Sequence, residues 1–406
     1  MAGKSKKTEN FNENFFANNI FTFDSYACDA QIEYIASPTG METEMLKVKA
    51  KKDTPLRFAF GSKVGLVRLN ADGSIAESNI LGKLLAIDST YTENYIDFFN
   101  RNGFLFPISF DKYDYIESST FKAIVNRLHA TLLLMSTVTD MSRTSYEKIV
   151  RLIVYLLHAP VVQIETKDGK YTQKSTYHPY TNFLNKVDDL QLDERLEDTF
   201  NNSTFVFRDA IFQNTELPAD FIISVLDGTA NNKYDDYNFR KILRLFCAQR
   251  NEISKSILLV NDFLFHYYYS VGVIRRADLE SIEYVNGENC KENFSDKLKQ
   301  AAMNIAKLLI KEEIEANLRR IIASYDVDKL EPTWKITSQL CALYFGLFYM
   351  RPKMEIYRRC ENKKCGEYFL VSVTSRKKKY CCRACMNRDI QARHRAKEKM
   401  LASKNE

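Results

Sequence analysis

Arg359-Cys360-Glu361-Asn362-Lys363-Lys364-Cys365-Gly366 and, with fifteen residues between Cys365 and Cys381, Cys381-Cys382-Arg383-Ala384-Cys385 hold five of the nine cysteines of this 406-residue chain. Chance does not crowd thiols so densely, and two close pairs separated by a short loop are the pattern that gives Zn²⁺ four sulfur ligands in a tetrahedron. Cys360 and Cys365 form the first pair, and Gly366 lets the backbone turn without a Cβ penalty. For the second pair, Cys381 with Cys385 leaves three residues between the ligands and Cys382 with Cys385 leaves two. Cys381 is preferred, because it follows Tyr380 directly and leaves Cys382 at the start of a helix; Cys382 stays as the alternate ligand. So short a segment cannot bury enough surface to fold alone, so a bound Zn²⁺ is expected to supply its folding energy, about 10–16 kcal/mol for structural zinc.

Around the cysteines, the pattern predicts a strand over Glu367–Val373, a basic turn over Thr374–Lys378, a returning strand at Lys379-Tyr380 and a helix over Arg383–Leu401. Phe369 and Tyr380 are expected to pack behind the metal. Knuckle, hairpin and helix in this order describe a treble-clef-like finger. Cys385-Met386-Asn387-Arg388, preceded by Arg359-Cys360-x4-Cys365 and a Tyr-Cys pair, resembles the bacterial CGNR zinc finger, with Met386 where that motif has glycine. The run Gln391–Lys397 is similar to that family's basic tail, and the likeness covers about Ile356–Lys399, roughly a tenth of the chain. Ile336–Met350 followed by Arg358-Arg359 resembles the helix that precedes this finger, and Tyr95–Leu105 faintly resembles the Asn-containing motif of the ABATE domain. The resemblance implies a bacterial DNA-binding transcription regulator.

Charge divides at the same point. The whole chain carries a net +6, but residues 351–406 hold 17 Lys and Arg against 6 Asp and Glu, a net +11, while the other 350 residues hold 41 basic and 46 acidic groups. A near-neutral body with a basic end points to a polyanion partner for that end. Arg376, Lys377 and Lys378 on the turn, with Arg383, Arg388, Arg395 and Lys399 on the helix, are the candidate phosphate contacts. Arg388 and Asn387 are placed to reach base edges if the helix enters a major groove. Four thiolates on Zn²⁺ leave about +9 in the segment, so the metal does not cancel the bias.

Upstream, residues 1–18 are polar and read as a flexible N-terminus, and 19–85 as a small β-rich region. Gln31–Ile35, Leu56–Phe60 and Val64–Leu69 give its strands, with a turn at Asn70-Ala71-Asp72-Gly73. Residues 86–350 read as a mainly α-helical body. Helices are predicted over Thr92–Asn102, through Phe121–Met135 and from a capping box at Thr144–Glu147 to His158. Two more are expected within Asp236–Val273, one over Ser295–Ser324 and a buried one over Ile336–Met350, with a hairpin about Asp168-Gly169. The last 56 residues form the finger and its basic helix. The fold class expected is mainly α with a small β-rich N-terminal region (α+β), plus the C-terminal treble-clef-like zinc finger.

No phosphate loop, dinucleotide fingerprint, nucleophile elbow or paired metal-binding histidines occur, so no catalytic residue is assigned. His129 and His158 are expected as core histidines. The leading reading is a nucleic-acid-binding regulator, with DNA as partner and the body as sensor or dimerisation element. A homodimer and a small-molecule ligand of the body are its other partners. Two alternatives stand beside it. In one, the finger binds a peptide or caps the body; in the other, it delivers an enzymatic body to nucleic acid. No stretch reads as a membrane span or secretory signal, so a cytoplasmic location is the expectation.

Overall fold

The structure is a computed structural model. It describes residues 20–36, 40, 42–61, 64–140, 145–166, 172–174, 179–187, 203–230, 233–248, 253–287, 289–327, 330–350, 355–372, 375 and 377–402. The flexible N-terminus predicted over 1–18 lies outside the described residues.

Strands β1 (Phe21–Ala36) and β2 (Glu42–Gly61) form a long antiparallel hairpin, followed by β3 (Gly65–Leu69) and β4 (Ile75–Glu77). The three predicted strands and the turn at Asn70–Gly73 fall in these elements, and Gly73 takes the left-handed conformation that closes the turn. The C-terminal half of β2 pairs with β3, and its Met45–Val48 segment pairs with β5 (Asp114–Glu117), completing a five-stranded sheet. Between β4 and β5 run the short helix α1 (Ile80–Leu84) and α2 (Glu93–Asn102). The latter ends where predicted, because the left-handed Gly103 follows it and donates to Phe99 O.

Next come α3 (Ser118–Thr139), α4 (Tyr146–His158), the β6 (Gln163–Glu165) and β7 (Thr172–Lys174) hairpin, and α5 (Pro179–Asn185). Helix α4 is capped by Ser145, whose side chain accepts from Lys148 N; Thr144 of the predicted capping box lies outside the described residues, as does the turn at Asp168-Gly169. His158, expected in the core, is exposed. The hairpin β8 (Thr204–Asp209) and β9 (Gln213–Pro218) leads into α6 (Ala219–Leu226), α7 (Tyr237–Cys247) and α8 (Lys255–Ser270). Helices α7 and α8 are the two predicted, capped by Asp236 and Ser254. A small hairpin of β10 (Ile274–Ala277) and β11 (Ile282–Tyr284) precedes α9 (Asp296–Leu318).

Helix α9 stops at Leu318 rather than Ser324. Residues 322–326 instead form β12 (Ile322–Asp326), paired with β13 (Glu331–Lys335), in which Pro332 and Trp334 are strand residues. Trp334 packs edge-on to Phe345 of α10 (Gln339–Tyr349), the buried helix expected here. Strands β14 (Glu355–Arg359) and β15 (Tyr368–Ser372) and helix α11 (Arg383–Ala402) complete the chain. With a five-stranded sheet and five two-stranded ones among the described residues, the fold is mixed α+β, richer in strands than the mainly α body expected.

Two compact units result: residues 1–132, 162–175 and 314–406 in one, 133–161 and 176–313 in the other. In the first, Phe21 and Phe60 stack and Phe21 meets Phe345, so α10 covers one face of the sheet. Gly346 lets the helix approach closely there, since a Cβ would lie 3.0 Å from the Phe60 ring and press on it. Helix α2 packs on β1, with Cys28 Sγ donating to Phe99 O and Asn100 Oδ1 accepting from Ala30 N. In the second unit, Phe246 and Phe265 stack with ring centroids 4.0 Å apart, and Tyr267 and Tyr268 are buried.

Candidate metal centre

The Sγ atoms of Cys360, Cys365, Cys381 and Cys385 all lie within 4.8 Å of one another. Cys365 is 3.7 Å and Cys381–Cys385 3.5 Å from sulfur to sulfur, in the pairs Cys365–Cys381 and Cys381–Cys385. A tetrahedron with Zn–S bonds of about 2.3 Å has sulfurs about 3.8 Å apart, so this group has the size and chemistry of a structural zinc site. Cys360 and Cys385 are buried, Cys365 and Cys381 half-buried. Cys382, the alternate, is exposed and outside this group. Its thiol stands at the start of α11, where the Cys385 N–H and its neighbours lower its pKa as a helix N-terminus does. Burial, then hydrogen bonding to Cys385 and Cys365, pushes the Cys381 thiol far above its ordinary range, and burial foremost takes Cys385 up to about 12. Protonated thiols packed this closely are the arrangement a divalent cation reverses, because it binds them as thiolates.

Local structure explains how the sulfurs meet. The first pair sits on the turn between β14 and β15, whose register runs from Glu355↔Ser372 to Arg359↔Tyr368. The strand partner of β15 is thus upstream β14, whereas Lys379-Tyr380, expected to return as a strand, forms no ladder. Instead, Lys379 O accepts one bond from Glu361 N, which brings the second pair beside the first. Gly366, at φ 64, turns the chain back into β15. Behind the sulfurs, Ile356, Phe369 and Val371 form an apolar floor against which Tyr380 also packs, as expected of Phe369 and Tyr380.

Four side chains that cysteine spacing does not reveal hold this arrangement. Asn362, only 5% exposed, accepts from Lys364 N on Oδ1, while its backbone oxygen accepts from Cys365 N and Gly366 N. Its Nδ2 donates to Cys385 O at 3.1 Å, joining the first knuckle to the helix. Tyr380 donates to Asp389 Oδ2 at 2.7 Å, and Arg393 meets both, fixing the direction in which α11 leaves the site. An Asn two residues after a ligand cysteine was the available signal for the first, and Tyr380 with Asp389 two turns along the helix for the second.

Beyond Asp389, every described side chain of α11 through Arg395 is exposed. Arg383, Asn387 and Arg388, before Asp389, are exposed as well, and among the described residues no carboxylate is seen to pair with Arg383, Arg388 or Arg395. Lys377 and Lys378 are exposed too, with Lys378 Nζ 5.3 Å from the centre of the Phe369 ring. Arg376 lies outside the described residues, and Lys399 is placed on α11 by its backbone alone. The expected phosphate contacts thus occupy two surfaces, the loop beside the knuckle and the free length of the helix. Cys28, Cys247, Cys290 and Cys341 are single thiols elsewhere in the chain. No described helix is long and apolar enough to cross a membrane.

The cysteine-bearing hairpin is fastened to its own unit. Asn79, in the left-handed conformation before α1, donates to Tyr368 O at 2.7 Å. Gly82 is needed beside it, since a Cβ there would lie 1.7 Å from that same oxygen. His129 meets the Tyr368 ring edge-on. The chain matches no family model, no curated protein and no solved structure. Its likeness to the CGNR finger therefore rests on the residues quoted for it.

Proposed function

We propose that this protein is a zinc-finger nucleic-acid-binding protein, a transcription regulator of the bacterial CGNR type acting in the cytoplasm, in which Zn²⁺ on Cys360, Cys365, Cys381 and Cys385 folds a treble-clef-like module that grips DNA. The observation that carries this reading is the position of the four sulfurs at the root of a helix that is basic, unpacked and solvent-exposed. A helix so largely polar and exposed has little intramolecular reason to extend so far. Its arginines are suited to phosphate contact, with affinity falling steeply as salt rises. The remainder of the chain serves as the sensor or dimerisation element.

Duplex DNA binding by the full chain, measured across a salt series, tests it. The Arg388→Ala/Arg395→Ala variant should bind more weakly and lose about two units from the slope of log affinity against log salt. Equal affinity and slope for the two proteins would refute the DNA reading. A second reading is favoured by Met386 and Ile390, which are 37% and 55% exposed one helical turn apart. An apolar pair on an otherwise polar helix suits a protein partner, with the finger as an interaction module. Salt-insensitive partner binding, lost in Ile390→Ser and unaffected by the arginine substitutions, would select it.

A further inference from the structure

Strand β12 is bonded to β13 on one side, and among the described residues no strand is bonded to its other side. Its described side chains, Ile322 through Tyr325, are all exposed. Ile322 and Tyr325 are 56% exposed, and Val327 and Leu330, towards the tip of the hairpin, 74%. Ala323 lies opposite Trp334 and Tyr325 opposite Pro332, so these four share one face of the hairpin. Trp334 meets Phe345, which stacks on Phe348, also more than half exposed. An apolar face therefore continues from α10 onto the hairpin. Natural proteins blunt a free strand edge with charge, proline or a bulge. β12 has none of these within it: Ile321-Ile322-Ala323-Ser324-Tyr325 is uncharged, and the register from Ile322↔Lys335 to Asp326↔Glu331 is unbroken. A two-stranded hairpin left this way is marginal in water and gains from a further strand.

We infer that β12 is the edge along which two copies of this chain pair, antiparallel about a two-fold axis at Ala323. Charge selects a second copy as the partner. Arg319 and Arg320 precede the uncharged run and Asp326 ends it, while Asp328 and Lys329 beyond it cancel. Antiparallel pairing brings the basic end of each strand to the acidic end of the other, whereas parallel pairing would oppose like charges. The register that does this directly is centred on Ala323. It sets Arg320 of each copy opposite Asp326 of the other, Ile321 opposite Tyr325 and Ile322 opposite Ser324, with the small Ala323 at the axis. The two hairpins then form one four-stranded sheet in the order β13–β12–β12–β13. Such a contact uses the same edge on both copies, so it closes at two chains instead of growing. This inference goes beyond the zinc and nucleic-acid reading above and holds without it.

Light scattering of the full chain over a dilution series tests it. The mass should be twice 47.2 kDa at the concentrated end and fall towards one chain on dilution. Amides of residues 322–326 should exchange hydrogen more slowly in the dimer than in the diluted monomer. Ala323→Lys changes an exposed side chain, so its circular dichroism should match the parent's. It sets two lysines against each other at the axis, and the dimer dissociation constant should rise about tenfold or more. Arg320→Asp and Asp326→Arg should each weaken the dimer, and the two together should restore it, which misfolding of either single variant would not allow. A one-chain mass at every concentration, a dimer unchanged by Ala323→Lys, or 322–326 amides that exchange alike in dimer and monomer would overturn the assignment. So would a mass that grows past two chains, since that is open-ended strand addition.

Discussion

At the candidate metal centre, Asn362 is the buried side chain that joins the first pair of cysteines to the helix carrying the last. Its amide closes the first knuckle at Lys364 and ties that knuckle to the carbonyl of Cys385. Asn362→Ala leaves a buried carbonyl and a turn N–H without partners, a loss of about 1–3 kcal/mol; competition with a chelator should show weaker zinc retention, with all four thiols still present. At Cys381 and Cys382 the expected outcomes diverge. Cys382→Ser should keep one zinc per chain, whereas Cys381→Ser should lose most of it, as read by metal content of the purified proteins. The cysteines were legible in the sequence because ligand spacing is local. Asn362 was not, because a polar residue between Glu361 and Lys363 in a loop looks like any solvated turn until Cys385, 23 residues away, is seen to meet it.

Hairpins separate what periodicity can and cannot foretell. β8 and β9 were not anticipated, since their turn has Gln213 at φ 77 in place of the usual Gly or Asn. Asp209 supplies what the turn sequence lacks: its Oδ1 accepts from Ile211 N and Phe212 N, and its Oδ2 from Thr215 Oγ1. Burial opposes ionisation of Asp209, but hydrogen bonds from His266, Phe212, Thr215 and Ile211 outweigh it and hold the carboxyl well below its usual range. With its folded pKa below the unfolded value of about 3.9, Asp209 favours the folded chain above that pH. The contribution fades as pH falls through the lowered folded value. Stability curves should therefore show an acid limb that is shallower in Asp209→Asn, measured by denaturant unfolding between pH 2 and 6. Helix α9 shows the opposite error: an amphipathic pattern continues past Leu318, but tertiary pairing of Ile322–Asp326 with Glu331–Lys335 wins. At the other end of the first unit, Gly82→Ala forces a methyl group against Tyr368 O. Overpacking of this kind costs about 1–3 kcal/mol, to be read as a lower melting temperature.

At the scale of the molecule, sequence reading located the basic end and the apolar helices well and underestimated the strands. Short strands such as Glu355–Arg359 carry too few residues for alternation to stand out. They are fixed by partners the pattern does not contain. The division of charge remains visible in the fold, for α11 extends its exposed arginines away from the apolar floor of the finger. Zinc occupancy and the fold of the last 50 or so residues should accordingly rise and fall together: chelation should open residues 355–402 to protease, and added zinc should restore their resistance.

The clasp of Asn79 and Gly82 on Tyr368 makes the finger's first strand pair share the fate of the N-terminal sheet. A hairpin that supplies two of four sulfurs cannot keep its shape once α1 has melted away from it. On slow heating, release of zinc to a coloured indicator and loss of the sheet's circular dichroism should follow one curve. A peptide spanning only the finger should surrender its metal at lower temperature than the whole chain.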